Sequence, residues 1–138
     1  MNEKVFFDSN ILIYAYTHAG DKTTTARELL SIGGTVSVQA LNETANTLWR
    51  KFATGWPRIN QILDSILSSC PNPLPLTLET HRAAMRLCER YGFSVYDAMI
   101  VASALEADCK TLYTEDLHHG QVIDGLRIEN PFRGLATL

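Results

Sequence analysis

The sequence predicts an α/β fold of three layers, α/β/α, in which helices cover both faces of a central, mainly parallel sheet. Short apolar runs alternate with helical periodicities along the chain, a pattern typical of parallel strands joined by helical crossovers. Residues 98–105 are apolar or small on nearly every helical face, as in a helix buried inside a domain. The 138 residues, 46% of them hydrophobic, suit a single domain spanning 1–138.

Each element is predicted from apolar spacing and from residues that begin or end regular structure. Helices are expected at 11–16, 21–30, 39–52, 59–67, 80–90 and 94–105. Strands are expected at 4–7, 35–38 and 111–113, with a short edge strand at 74–78 and one or two strands within 121–128. In the helix at 39–52, the spacing of Leu41, Ala45, Leu48 and Phe52 predicts an inward stripe.

Composition restricts the cellular setting. The amino terminus has no signal-peptide core, and the apolar run at 98–105 is far shorter than the ~20 residues that a membrane span needs. Cys70, Cys88 and Cys109 are widely spaced, which suits free thiols in the core of a cytoplasmic protein. The formal net charge of −3, from 15 acidic and 12 basic residues, neither supports nor excludes RNA as a partner. If four of the acids bind metal, 15 − 4 = 11 acids remain against 12 bases, and the charges nearly balance.

Four acids fall where a parallel sheet binds ligands, at the carboxyl ends of its strands. They are Asp8 after the first strand, Glu43 one turn into the helix at 39–52, Asp97 at the start of the buried helix, and either Glu115 or Asp116 after the strand at 111–113. Each has a structural alternative. Helix capping explains Asp8, Asp97 and the 114–116 segment, and a solvated helix face explains Glu43.

Taken together, the four acids predict a metal site. Carboxylates that meet at one edge repel each other unless a cation neutralises them. An oxygen-only set without His or Cys at ligand spacing favours Mg²⁺ or Mn²⁺ over Zn²⁺. Phosphodiester hydrolysis is the chemistry of such clusters. The alternative of an aspartyl-phosphate enzyme with Asp8 as nucleophile lacks a second Asp two residues further on. The neighbouring His118 and His119 are interpreted as solvated loop residues.

Three segments carry a family resemblance over almost the whole chain. They read FFDSNILIY at 6–14, YDAMIVASA at 96–104 and LYTED at 112–116, with Gly120 and NPF at 130–132 behind them; ALNE at 40–43 is a weaker match. These segments resemble the PIN-domain family and, within it, the VapC-like toxins of bacterial toxin–antitoxin pairs.

The resemblance implies an Mg²⁺- or Mn²⁺-dependent endoribonuclease. Its four acids match Asp8, Glu43, Asp97 and Asp116, of which Asp8, Asp97 and Asp116 are the expected metal ligands. Asn10 and Thr114 match supporting polar positions, and Glu115 leaves the identity of the fourth acid open. The resemblance also implies a homodimer and a small antitoxin protein whose tail covers the cleft.

Two alternatives to a ribonuclease remain at the level of sequence. One is a non-catalytic module of this fold that binds RNA or protein, and the other is a DNA-directed nuclease. Substrate choice in such an enzyme depends on the shape and charge of the rim of the cleft. Arg50, Lys51, Arg58 and Arg82 are the basic candidates for that rim.

Overall fold

A computed structural model describes residues 3–135, and its elements alternate as an α/β chain. In order they are β1 (Val5–Phe7), α1 (Ser9–Ala15), α2 (Asp21–Ile32), α3 (Val38–Lys51), α4 (Trp56–Ser69), α5 (Leu78–Tyr91), α6 (Val95–Glu106), β2 (Thr111–Tyr113), β3 (Val122–Ile123) and β4 (Leu126–Glu129). The predicted α/β class is confirmed. The prediction of one domain over 1–138 includes residues 1–2 and 136–138, which lie outside the described part.

The sheet has the order β1-β2-β4-β3 and is mainly parallel, as predicted. β1 pairs with β2 and β2 with β4 in parallel, while the short β3 runs antiparallel to β4. In the register, Phe7 lies opposite Tyr113, so β1 and β2 end at the same edge of the sheet. The residues that follow these two strands are therefore neighbours in space.

The predicted strands at 35–38 and 74–78 are wrong in extent. Thr35 forms one parallel bridge with Phe6, and Ser37 forms another with Leu74. The first segment stays short because the Ser37 side chain accepts a hydrogen bond from Ala40 N–H at 3.1 Å and so begins α3. In the second segment, Pro75 has no backbone N–H to donate to a longer strand, and Thr77 already caps α5.

The ends of the first and third helices also differ from prediction. α1 begins two residues earlier than expected, since Asp8 itself is the N-cap. The inward stripe of α3 is wrong at its end: Phe52 follows the last helical residue and is 49% exposed, whereas Leu48 is buried. The buried positions of the helix are Gln39, Ala40, Thr44 and Leu48.

The core forms around the sheet and α6. Every residue from Ala98 to Ala104 in α6 is buried, which confirms the predicted central helix. A close approach packs the chain against β1: a Cβ atom at Gly34 would lie 2.6 Å from Phe7 Cε2, so this position requires glycine. Cys70 and Cys109 are buried, Cys88 is half-buried, and all three are free thiols. Across residues 3–135, no helix is long and apolar enough to span a bilayer.

Candidate active site

Asp8 occupies the centre of the carboxyl edge of the sheet, immediately after β1. Its backbone N–H donates to Tyr113 O at 3.0 Å, which continues the ladder between β1 and β2 by one residue. Its Oδ1 accepts from Ser9 N–H at 2.7 Å, and its Oδ2 accepts from Thr114 Oγ1 at 2.8 Å. The carboxylate is only 4% exposed. Two strand ends and a helix start therefore fix its orientation.

Asp116 joins this edge through Asn10 and Thr114. Asn10 Nδ2 donates to Asp116 Oδ2 at 3.2 Å, and Asp116 N–H donates to Thr114 Oγ1 at 3.1 Å. Thr114 Oγ1 thus accepts from Asp116 while it donates to Asp8, so one buried hydroxyl connects the two acids. Both supporting polar residues that the resemblance indicated lie in contact with the acids.

Glu115 is held apart from this network. Its carboxylate accepts from Tyr14 Oη at 2.6 Å and pairs with Lys22 Nζ at 2.7 Å. Its backbone N–H donates to Asn10 Oδ1 at 3.3 Å. Glu115 therefore already has a cationic partner, whereas the Asp116 carboxylate is turned toward the cluster.

Glu43 reaches the site from α3. Its Oε2 lies 3.4 Å from the Ser9 hydroxyl, which donates to it, and its Oε1 accepts from Gln39 Nε2 at 2.9 Å. Gln39 Nε2 also donates to the backbone carbonyl of Tyr96 at 3.1 Å, next to Asp97. The Gln39 side chain thereby connects the start of α3 to the start of α6.

Asp97 lies in the first turn of α6, where Ser94 is the N-cap and accepts from Asp97 N–H at 3.2 Å. Burial raises the pKa of the Asp97 carboxyl, a hydrogen bond with Ser94 opposes the rise, and the charge of Asp116 adds to it. Asp97 is half-buried, so it retains access to solvent that Asp8 lacks.

The electrostatics of the cluster are most unfavourable at Asp8. Burial raises the pKa of Asp8 to about 6, hydrogen bonds from Thr114 and Ser9 oppose the rise, and the charges of Glu43 and Asp116 add to it. Hydrogen bonds place all four acids of the sequence prediction at one edge of the sheet. Thr114 connects Asp8 to Asp116, and Ser9, which follows Asp8, bonds Glu43. Gln39 connects Glu43 to the backbone next to Asp97.

The donor chemistry fits a hard divalent cation, although within residues 3–135 no three His, Cys, Asp or Glu side chains converge as a ready-made ligand set. Mg²⁺ is usually held by one or two carboxylates and several waters, so a looser acidic cluster suffices. Burial, with a smaller addition from the charges of Glu43 and Asp116, raises the pKa of Asp8, and a cation beside this carboxylate would stabilise its ionised form.

Several residues that contact the acids were not predicted from the sequence. Gln39 precedes Glu43 by four residues, a helical spacing from which the contact could have been found. Tyr14 and Lys22 carried no such signal, since they meet Glu115 only in the tertiary structure. His119 is not simply solvated as interpreted, because its Nδ1 accepts from Asn130 N–H at 3.0 Å.

Comparison with solved structures finds the same fold in toxin–antitoxin proteins. A toxin–antitoxin complex from Klebsiella pneumoniae has a chain 21% identical, with a TM-score of 0.70, covering 93% of this chain and 98% of that one. VapC20 from Mycobacterium tuberculosis, a toxin that cleaves the sarcin-ricin loop, is 19% identical, with a TM-score of 0.67 and coverage of 82% and 90%. VapBC2 from Rickettsia felis, bound to a promoter DNA fragment, is 20% identical, with a TM-score of 0.65 and coverage of 91% and 97%.

Sequence comparison identifies the family directly. None of the curated proteins matches the chain. The PIN domain, however, matches residues 5–123, a span from the first residue of β1 to the last residue of β3 that includes all four acids. The chain belongs to the PIN domain family.

Proposed function

We propose that the protein is a metal-dependent endoribonuclease and the toxin of a VapBC-type toxin–antitoxin pair. The observation that carries this proposal is the environment of Asp8, a 4% exposed carboxylate placed by two strand ends beside other acids. A group in this position favours either a proton or a cation. Membership in the PIN domain family supports the nuclease assignment.

Each residue of the acidic cluster has a proposed role in metal binding. Asp8, Asp97 and Asp116 would hold Mg²⁺ or Mn²⁺, and Glu43 would complete the acidic cluster from α3. When bound, the ion supplies polarisation of the phosphoryl group and activation of water. Thr114 keeps the Asp8 carboxylate in a fixed orientation, and Asn10 does the same for Asp116. Because these hydrogen bonds already orient the carboxylates, the side chains need to reorganise less when a metal ion binds.

The fold relatives support the biological role. They include toxin–antitoxin complexes and a toxin that cleaves the sarcin-ricin loop. By analogy, RNA is the substrate here, a small antitoxin is the inhibitory partner, and the active form is a homodimer in the cytoplasm. Expression in bacteria with and without the adjacent small reading frame tests this role, since a toxin should arrest growth and its antitoxin should rescue it.

Cleavage of RNA with and without metal tests the activity itself. The wild-type protein should cut single-stranded RNA in Mg²⁺ or Mn²⁺ and stop in EDTA, and Asp8→Asn should reduce cleavage to background while the fold persists. Asp108→Asn is the matched control, because Asp108 is an exposed aspartate after α6, at the opposite edge of the sheet, in a left-handed conformation (φ 56°) that asparagine tolerates.

Other outcomes would redirect the proposal. Full metal-dependent cleavage by Asp8→Asn would contradict the assigned site. Cleavage of duplex or flap DNA without cleavage of RNA would make the protein a DNA-directed nuclease. The absence of any Mn²⁺ binding heat in calorimetry would favour a binding module without catalysis.

A further inference from the structure

A basic and aromatic surface lies outside the acidic cluster, at the end of α3 and the start of α4. The sequence contains no Asp or Glu from residue 44 to residue 63, although the whole chain carries a formal net charge of −3. The same stretch contains exposed Arg50, Lys51 and Arg58. Positive charge is therefore concentrated on one part of an otherwise acidic protein.

Three large aromatic side chains accompany these cations. Trp49 is 50% exposed, Phe52 is 49% exposed and Trp56 is 53% exposed. The two indole rings stack on each other with centroids 5.5 Å apart and planes inclined by 17°. We call Trp49, Phe52, Trp56 and the three cations the aromatic surface. Exposed tryptophans beside arginines are unusual on a surface without a binding role.

The local backbone holds the aromatic surface in place. The turn between α3 and α4 is closed by a 3.0 Å hydrogen bond from Thr54 N–H to Leu48 O. Gly55 then caps α4, and Pro57 in its first turn fixes the backbone next to Trp56. Trp49 and Trp56 therefore lie on two helices joined by a short, hydrogen-bonded turn.

The aromatic surface is connected to the acidic cluster through α1 and α3. Glu43 belongs to the cluster, and Trp49 follows it by six residues, about 9 Å along the axis of α3. Asp8 caps the start of α1 and Tyr16 caps its end, and Tyr16 lines an open cavity of about 310 Å³ together with Phe52. A flexible polymer a few nucleotides long can reach from one region to the other.

We propose that the aromatic surface binds single-stranded RNA, with bases stacked on Trp49 and Trp56 and phosphates paired with Arg50, Lys51 and Arg58. This inference rests on the proposed ribonuclease function and assigns that enzyme a site for RNA adjacent to the scissile bond. Stacking on aromatic rings within a positively charged groove is how proteins bind unpaired strands without a fixed sequence. The absence of acids over twenty residues matches a polyanion, whereas a protein partner would not require it.

Intrinsic fluorescence tests the proposal directly, because the two tryptophans of the sequence are both in the aromatic surface. The Asp8→Asn protein in EDTA is titrated with a mixed-sequence single-stranded RNA of about 12 nucleotides, within the usual range of site sizes. Tryptophan emission should be quenched saturably, and binding should weaken with salt. The same RNA annealed into a duplex should quench much less, because its bases are not free to stack.

Variants then separate stacking from charge. Trp49→Ala and Trp56→Ala should each weaken RNA binding roughly fivefold to hundredfold, measured by anisotropy of labelled RNA. Phe at either position should retain part of the affinity. Arg50→Gln and Lys51→Gln should each reduce the salt slope by about 1. Lys110→Gln, an exposed cation before β2 at the opposite edge of the sheet, is the matched control and should leave binding unchanged.

The outcomes distinguish this inference from the proposed function. If RNA is cleaved in an Asp8-dependent manner but neither quenches the tryptophans nor responds to the aromatic and charge variants, the aromatic surface is not an RNA site. If those variants change only the sedimentation mass or antitoxin binding, the surface contacts protein and the inference is wrong. If RNA quenches the tryptophans but the wild type never cleaves it in Mg²⁺ or Mn²⁺, the aromatic surface is an RNA-binding site and the ribonuclease proposal fails.

Discussion

Two helices, α1 and α6, begin at the acidic cluster, and their first residues behave differently. In α1 the acid itself is the cap: Asp8 is 4% exposed and burial raises its pKa to about 6. In α6 a hydroxyl is the cap: Ser94 accepts from the backbone and Asp97 lies three residues later, half-buried. Both patterns read as ordinary helix starts in the sequence.

A helix cap therefore acquires a second role through the groups that pack against it. Asp8 follows β1 and bonds the end of β2 through its N–H, and its carboxylate accepts from the Thr114 hydroxyl near other acids. Asp97 is only half-buried; burial is the main cause of its raised pKa, and the charge of Asp116 adds to the rise. We therefore expect Asp8 to determine both the stability of the metal-free protein and its affinity for metal, and Asp97 to affect chiefly the latter.

The largest expected effect is a gain of stability on removal of the Asp8 charge. The pKa of Asp8 rises from 3.8 to about 6 on folding, so the folded state binds the proton more tightly than the unfolded state. In EDTA, the free energy of unfolding should therefore fall as pH rises from about 4 to about 6, by up to about 3 kcal/mol. Urea unfolding at a series of pH values measures this fall.

Asp8→Asn should lack this pH dependence and be more stable than the wild type above pH 6. Divalent cations should stabilise the wild type at neutral pH and not the variant, since the ion binds the ionised carboxylate. Asp97→Asn is the comparison and should keep most of the pH-dependent loss. Equal pH profiles for wild type and Asp8→Asn would show that the Asp8 carboxyl is not the group responsible.

A second prediction separates two adjacent acids. Asp116→Asn should lower metal-dependent cleavage at least tenfold, because it removes a carboxylate from the cluster. Glu115→Gln should lower it less, since this side chain pairs with Lys22 instead and glutamine can still accept from Tyr14. Because the Lys22–Glu115 ion pair is partly exposed to solvent, it contributes at most about 1 kcal/mol to the free energy of unfolding. Single-turnover cleavage rates and Mn²⁺ titrations of both variants make the comparison. A larger loss from Glu115→Gln would reverse the assignment.

The smallest effect is expected at the α6 cap. Ser94→Ala removes the acceptor for Asp97 N–H and should reduce the free energy of unfolding by about 1 kcal/mol. Cleavage should change little if Gln39 alone holds the start of α6 through the Tyr96 carbonyl. Thermal unfolding and cleavage rates check this, with Ser94→Asp as a variant that keeps a capping oxygen. A loss of activity as large as that of Asp116→Asn would show that the cap positions Asp97.

Much of the fold followed from local patterns. The helix at 94–105, the strand at 111–113 and the stop at Gly33 were predictable, because continuous apolar runs and glycine breaks are encoded within a few residues. The strand at 35–38 was not, since Ser37 favours a helix cap over continued pairing. The outward position of Phe52 depends on where α3 ends, which spacing alone does not fix.

The residue types of the site, and their places at the ends of strands and helices, can be read from local sequence patterns. The pairs that they form require the folded chain: Thr114 with Asp8, Asn10 with Asp116, and Lys22 with Glu115. The reason is physical, since capping and strand propensities act over a few residues, whereas burial and carboxylate repulsion depend on groups about a hundred residues apart along the chain. The same four acids would cap helices or sit in solvent without harm if the sheet did not bring them to one edge.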